Sequence, residues 1–299
     1  MDSSFNPAVP YLSAVRPRKF PWVNVALFIA TCFSTLLMGS LLMMGFNGMS
    51  PSTGIWDPAN LRLGLPFSLA IMSILFAHEM GHYLTCRYYG IDASLPYFIP
   101  FINPVGTMGA FIKIRAPIQN RAALLEVGVS GPIAGFVVAV AVLIISMPYA
   151  RFVSAETLED GILLGEPLIF KAIEYVAGMT PPEGMDTYLH PVSFAAWFGF
   201  LATALNLLPA AQLDGGHITY ALFRSYHRWI SVGVIAILIP LAILYFVGWW
   251  VWIVVLLMLR LNHPPTLDDS LPLRRRHAIL GWIGLILLIL CFTPAPFTF

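Results

Sequence analysis

Charge is what this chain has least of. Its 299 residues carry 16 Lys and Arg against 15 Asp and Glu, 10% of the whole, while 58% are hydrophobic and mean hydropathy is +0.79. That balance excludes an ordinary soluble domain and places the chain among integral membrane proteins, with a lipid bilayer as its surroundings and no nucleic-acid partner expected. Cysteine is scarce as well. Cys32, Cys86 and Cys291 form an odd set in or beside apolar segments, which excludes a disulfide framework and a Cys-x-x-Cys metal knuckle. They read as small apolar residues. No internal repeat, low-complexity tract or appended soluble domain is visible. Nothing before the first apolar run resembles a transit peptide. That run is too long for a signal peptide and lacks a clear cleavage site, so an uncleaved first transmembrane helix is expected.

Long apolar runs are what the chain has instead. Stretches at about 23–46, 65–89, 122–147, 191–208, 229–246, 248–261 and 277–293 read as spans against the ~20 residues needed to cross ~30 Å of hydrocarbon. Some are short, so the expected fold is an all-α polytopic membrane protein with about six to seven transmembrane helices. It divides into a cytoplasmic tail over 1–22, a first transmembrane helix and outer loop over 23–64, a core over 65–220 and C-terminal transmembrane helices over 221–299. With the N-terminus in the cytoplasm, all but three Lys and Arg (Arg62, Arg151 and Lys171) fall on or near the cytoplasmic side, as the positive-inside rule requires. The outer loop 148–190 is acidic, with a short helix expected around 162–177. The expected location is a bacterial inner membrane.

One cluster interrupts the apolar pattern. Leu65 to Ala77 runs without a charge into His78-Glu79-Met80-Gly81-His82. Two His four apart on a helix project from one face, as two ligands of a single zinc ion must. Glu79 is placed to act on a metal-activated water as general base. Ionisable groups at membrane depth cost roughly 2.5 kcal/mol or more each, so their presence there points to function. Thirteen residues separate Leu65 from His78, about 20 Å of helix, which puts the motif roughly 10 Å below the cytoplasmic surface.

A catalytic zinc takes a third protein ligand and keeps a position for water. Asp214 is the candidate, in Asn206-Leu-Leu-Pro209-Ala-Ala-Gln-Leu-Asp214-Gly215-Gly216-His217, on the same side and at similar depth. Its helix-breaking Pro and Gly are tolerated at membrane depth where they line an enclosed cavity. Asn206 is a candidate catalytic residue, donating its amide to a developing oxyanion, against an interhelical hydrogen bond as the plainer reading. His217 reads as an interfacial histidine rather than a fourth ligand, which would exclude the reactive water. Glu126 is expected to pair with Arg121 or Arg115. The segment Leu95 to Pro117 is apolar but too rich in Pro and Gly for a spanning helix. Alternation over 111–115 suggests a short strand or hairpin dipping into the membrane near the metal. Such a strand edge could hold an unwound chain by main-chain pairing, while a plain connector is the other reading. Gly106, Gly109, Phe111 and Ile112 are the substrate-binding candidates. Ser130-Gly131-Pro132 and Gly135 would allow close helix approach and a kink.

Taken together these pieces resemble the site-2 protease family of intramembrane zinc metalloproteases. His78, Glu79 and His82 match its His-Glu-x-x-His. Asn206, Pro209, Leu213, Asp214 and Gly215 match its second signature, Asn-x-x-Pro followed by Leu-Asp-Gly. Gly106-Thr107 through Gly109-Ala-Phe111 and Ser130-Gly-Pro132 are similar to its membrane-inserted β-loop and the span that follows. The resemblance covers roughly 65 to 220 and looks like the compact branch without a PDZ domain. It implies one Zn2+ per chain held by His78, His82 and Asp214, Glu79 as base, and a transmembrane protein as substrate. Two other readings differ in what they need. A zinc transporter would line a path with acidic and His residues through several spans, whereas here they cluster at one end. A catalytically silent chaperone of the same fold would be indistinguishable by these residues.

Overall fold

Twenty-five residues from Trp22 to Phe46 carry no ionisable charge, and they form the first helix, α1. The computed structural model describes residues 20–50, 54–154 and 163–298. After a short α2 (Pro58–Arg62), Pro66 opens α3 (Leu65–Tyr88) in the first turn, where its missing N–H costs nothing. A hairpin of β1 (Tyr97–Pro100) and β2 (Thr107–Phe111) leads to α4 (Arg121–Ser146), whose N-cap Asn120 accepts a hydrogen bond from the Ala123 N–H. Then come β3 (Arg151–Ser154), β4 (Leu163–Leu164), α5 (Leu168–Ala177), β5 (Met185–Tyr188) and α6 (Pro191–Asn206). The chain ends in α7 (Asp214–Phe223), α8 (His227–Leu244), α9 (Trp249–Met258), α10 (Arg275–Cys291) and β6 (Phe297–Thr298).

Four helical stretches are long and apolar enough to cross a membrane: Trp22–Phe46, Pro58–Tyr88, Arg121–Tyr149 and Asp214–Leu244. The expected six to seven are not reached among the described residues. α6 and α9 are apolar but only 16 and 10 residues long, and α10 has 17. Sixteen residues rise only about 24 Å, short of a ~30 Å core. α6 needs no full span, because α3, α4 and α10 enclose it. Its Trp197 and Phe200 join Leu143 of α4 and Phe170 of α5 in the largest buried cluster.

The strands form three antiparallel pairs: β1 with β2, β3 with β5, and β4 with β6. The hairpin lies earlier than the alternation over 111–115 suggests, with Tyr97 opposite Phe111 and Phe98 opposite Ala110. Beyond Phe111 the chain stays extended, bridging Ile114 to Ala93. The helix expected around 162–177 begins at Leu168, and 155–162 lie outside the described residues. Glu126 takes neither expected partner. Its carboxylate meets Arg276 at 3.3 Å, His277 at 3.2 Å and the Tyr89 hydroxyl at 2.7 Å. Arg121 instead donates to the carbonyls of Ala221 and Leu271, and Arg115 pairs with Asp92.

Candidate metal centre

The two histidines of α3 are presented by one face, as their four-residue spacing requires, and α4 packs directly against that face. Gly131 and Gly135 make the approach possible. A Cβ on Gly131 would overlap the His82 ring, and one on Gly135 would press on His78 from 3.1 Å. Gly81 returns the favour on α3, where a Cβ would collide with the Ser130 main chain. The small residues of 130–135 therefore give the close helix approach expected of them.

Asp214 reaches the same point from the break between α6 and α7. Pro209 and the following turn leave main-chain groups unpaired by any helix, and α8 covers them. Ser231 accepts from the Ala211 N–H at 3.1 Å, and His227 contacts the Ala211 carbonyl at 3.1 Å. Gly215 packs so tightly under the end of α6 that a Cβ would clash with the Leu207 carbonyl. Asp214 is thereby fixed at the first residue of α7, where the helix dipole favours a carboxylate.

His78 Nε2, His82 Nε2 and Asp214 Oδ2 form a triangle with sides of 3.1, 3.2 and 3.3 Å. A tetrahedral zinc site with bonds near 2.0–2.1 Å has ligand–ligand edges of about 3.3 Å. Proton positions sharpen the fit. His82 Nδ1 lies 2.7 Å from the Val127 carbonyl, which can only accept, so Nδ1 carries a proton and in the neutral ring Nε2 is the atom left with a lone pair. The lone pair thus faces the carboxylate across the triangle, an arrangement a cation relieves. Among the described residues this is the one His, Cys, Asp and Glu group placed to hold a metal.

Around the triangle lies a cleft of about 210 Å³. Glu79, buried, lines it beside the three candidate ligands, and the Ile112 main chain faces its carboxylate. Asn206, the last residue of α6, also lines it, with its amide nitrogen 3.4 Å from His78 Nε2. On the hairpin side the wall is Ala110, Phe111, Ile112 and Ile114. Two expected contributors are absent from it. Gly106, at φ +82°, packs on α1 and gives its carbonyl to the Ser34 hydroxyl at 2.6 Å, and Gly109, at φ +99°, faces open space. Both are required by backbone geometry that side chains rarely adopt. His217 stands outside the triangle, with its Nδ1 2.7 Å from His263 Nε2. The sequence reading singled out neither Val127 nor Gln212 on the cleft walls, and missed His263 altogether. For His263 the one local signal is its place in Asn262-His263-Pro264-Pro265, a rigid turn after an apolar run.

Comparison with known proteins points the same way as the geometry. The chain is 28% identical over 241 residues to "Probable zinc metalloprotease EGY2, chloroplastic" of Arabidopsis thaliana, covering 80% of this chain and 43% of that protein. The protein of that name from Oryza sativa subsp. indica is 28% identical over 289 residues, covering 93% of this chain and 51% of its own length. "Probable zinc metalloprotease EGY1, chloroplastic" of Arabidopsis thaliana is 27% identical over 250 residues, covering 77% and 43%. The chain thus spans about half the length of the curated relatives it matches. Their chloroplast origin lends no support to a bacterial inner membrane. No solved structure matches the chain. The family description "Peptidase family M50" matches residues 66–247, which take in both halves of the metal triangle and Glu79. The chain belongs to peptidase family M50.

Proposed function

We propose that this chain is a zinc metallopeptidase that hydrolyses a peptide bond in or near a membrane-spanning segment of another protein. The observation that carries the reading is the 3.1–3.3 Å triangle of His78, His82 and Asp214 with Glu79 beside it in one cleft. His78, His82 and Asp214 would hold one Zn2+. When bound, the ion supplies Lewis acidity toward a water and toward the scissile carbonyl. Glu79 takes the proton of the attacking water and returns it to the leaving nitrogen. Asn206 has an amide N–H free to orient the carbonyl once His78 Nε2 is engaged by the metal.

The hairpin answers a second demand of the chemistry. A peptide bond inside a helix is shielded and already hydrogen-bonded, so the chain to be cut must unwind. Lys113 and Arg115 spend their main-chain bonds on Ser94 and Asp92. By strand alternation, Ile112 and Ile114 direct theirs to the opposite edge, toward the cleft. That edge has no strand partner among the described residues and is open to main-chain pairing.

The test is a comparison of membrane proteomes with wild type and Glu79→Gln. Substrate fragments should appear only with wild type, and both proteins should carry about one zinc. Turnover by Glu79→Gln would remove the general-base role.

A further inference from the structure

Three histidines gather beside the cleft on the α7 side, and their hydrogen bonds form a chain with one direction. His263 Nδ1 lies 2.6 Å from the Pro264 carbonyl, and its Nε2 lies 2.7 Å from His217 Nδ1. A carbonyl only accepts, so His263 donates from Nδ1 and its Nε2 carries a lone pair. His217 must then donate from Nδ1, which leaves its own Nε2 bare. Burial holds His263 down to about 4, with Asp269 and His227 facing it, so at neutral pH the ring is uncharged and the direction of the chain is fixed.

The segment after α9, which carries His263, is tied down at two places. The Tyr220 ring stacks on His263 at 4.5 Å, and the Tyr220 hydroxyl donates to Asp269 at 2.8 Å. Arg224 meets the same carboxylate at 3.2 Å. On the other side, the N–H groups of Leu267 and Asp268 donate to the carbonyls of Ile118 and Gln119, just before α4. The result is a strap tied both to α7 and to the entry of α4. His217 is held from below as well, since its Cβ packs against Gly128 of α4.

His217 lines the same cleft as Ile112 and Ile114. An extended chain paired with the hairpin edge turns alternate N–H groups away from that edge, and each needs an acceptor. We propose that His217 contacts the bound chain, its Nε2 accepting a main-chain N–H, and that His263 is the positioning residue that holds His217 in the required Nδ1–H tautomer. This rests on the peptidase reading for the nature of the ligand, but the tautomer does not.

The experiment uses the full chain, metal-loaded, in detergent. Long-range 15N correlation spectra of histidine-labelled protein read the tautomer directly. His217 should be Nδ1–H with a bare Nε2 in wild type. That preference should be lost in His263→Phe, which keeps a ring against Tyr220 but no acceptor. A His217 found as Nε2–H, or with Nε2 bound to the metal, overturns the proposal. The second arm measures cleavage of dye-labelled casein, an unfolded probe that needs no unwinding. His217→Asn keeps a donor near the Nδ1 position and loses the acceptor. It should raise KM about tenfold with kcat little changed, the size of one unmade hydrogen bond. His217→Gln, which restores an acceptor near Nε2, should recover most of the loss, and zinc content should not change in either. An unchanged KM in His217→Asn overturns the contact with the chain. Casein left intact by wild type would count against the peptidase reading, while the spectra would still decide the tautomer.

Discussion

The Val127 carbonyl of α4 accepts the hydrogen bond of His82 Nδ1 on α3 at 2.7 Å, so one helix sets the tautomer of a candidate ligand carried by another. Gly131, one turn further along α4, leaves the room in which that ring lies. The metal centre therefore depends on how closely two helices approach, and not on the His-Glu-x-x-His residues alone. Outer partners of this kind orient ligands and raise their basicity.

Gly131→Ala tests that dependence. Alanine suits a helix better than glycine, so α4 itself should not suffer. The added Cβ must nevertheless displace the His82 imidazole, at a cost of roughly 1–3 kcal/mol for an overpacked contact. Metal analysis of the purified variant should show zinc well below one equivalent while helix content stays as in wild type. Full zinc occupancy would mean that the ring has another place to go.

Removing a ligand should act differently from crowding one. Asp214→Ala leaves two histidine lone pairs and no carboxylate, too few for a stable site. Zinc should fall well below one equivalent, and the melting temperature should lose its dependence on added zinc, since a ligand bound only by the folded state stabilises it. Stoichiometric zinc in this variant would take Asp214 out of the ligand set.

How much of this was legible in the sequence follows from the range of each interaction. His78, Glu79 and His82 are one helical turn apart, and local periodicity suffices to place them on one face. Asp214 lies 132 residues beyond His82, and is reached from its depth and side of the membrane, inferred from charge and length, and from its place in the second signature. Glu126 shows where such inference fails. Arg121 and Arg115 are near in sequence, yet its ion-pair partners come from α10, about 150 residues away. Gly106 and Gly109 were read as cleft residues because they lie in the right segment. Their positive φ values, which give them their purpose, are properties of a backbone that the sequence does not display. His263 is beyond reach for the same reason, since a strap tied to α7 and to the residues before α4 brings it to His217.

The segment between α4 and α6 has a titration of its own. Glu174 on α5 is buried, with the Thr187 hydroxyl 3.4 Å away. Burial pushes its carboxyl up to about 7, helped by Glu166 and Asp186, while Thr187 and Lys171 pull the other way. A folded value above the ordinary 4.5 means that the folded state holds the proton more tightly than the unfolded chain. Its stabilising effect is complete below about 4.5 and is lost as pH rises through about 7, a difference of up to about 3 kcal/mol. Thermal unfolding of wild type across that window should show the decline, and Glu174→Gln should flatten it. Parallel pH profiles for the two proteins would show that the carboxyl does not titrate there.

Proline scanning separates the hairpin's main chain from its side chains. Ile112 and Ile114 line the cleft, and their N–H groups face the unpaired edge because Lys113 and Arg115 use the other one. Proline at either position deletes a donor from the pairing edge and adds ring bulk where an extended substrate would lie. Cleavage should fall sharply in both variants with zinc content unchanged, since His78, His82 and Asp214 lie on α3 and α7. Alanine at the same positions keeps the amide and should cost far less. The Ile112 amide also faces Glu79, so Ile112→Pro carries a second effect on the base that Ile114→Pro does not. A substrate span loosened by an added glycine or proline should recover part of the loss, because less unwinding is then demanded of a weaker edge. If Ile114→Pro cleaves at the wild-type rate, the edge beyond Phe111 holds no substrate, and the segment serves only to connect α3 to α4.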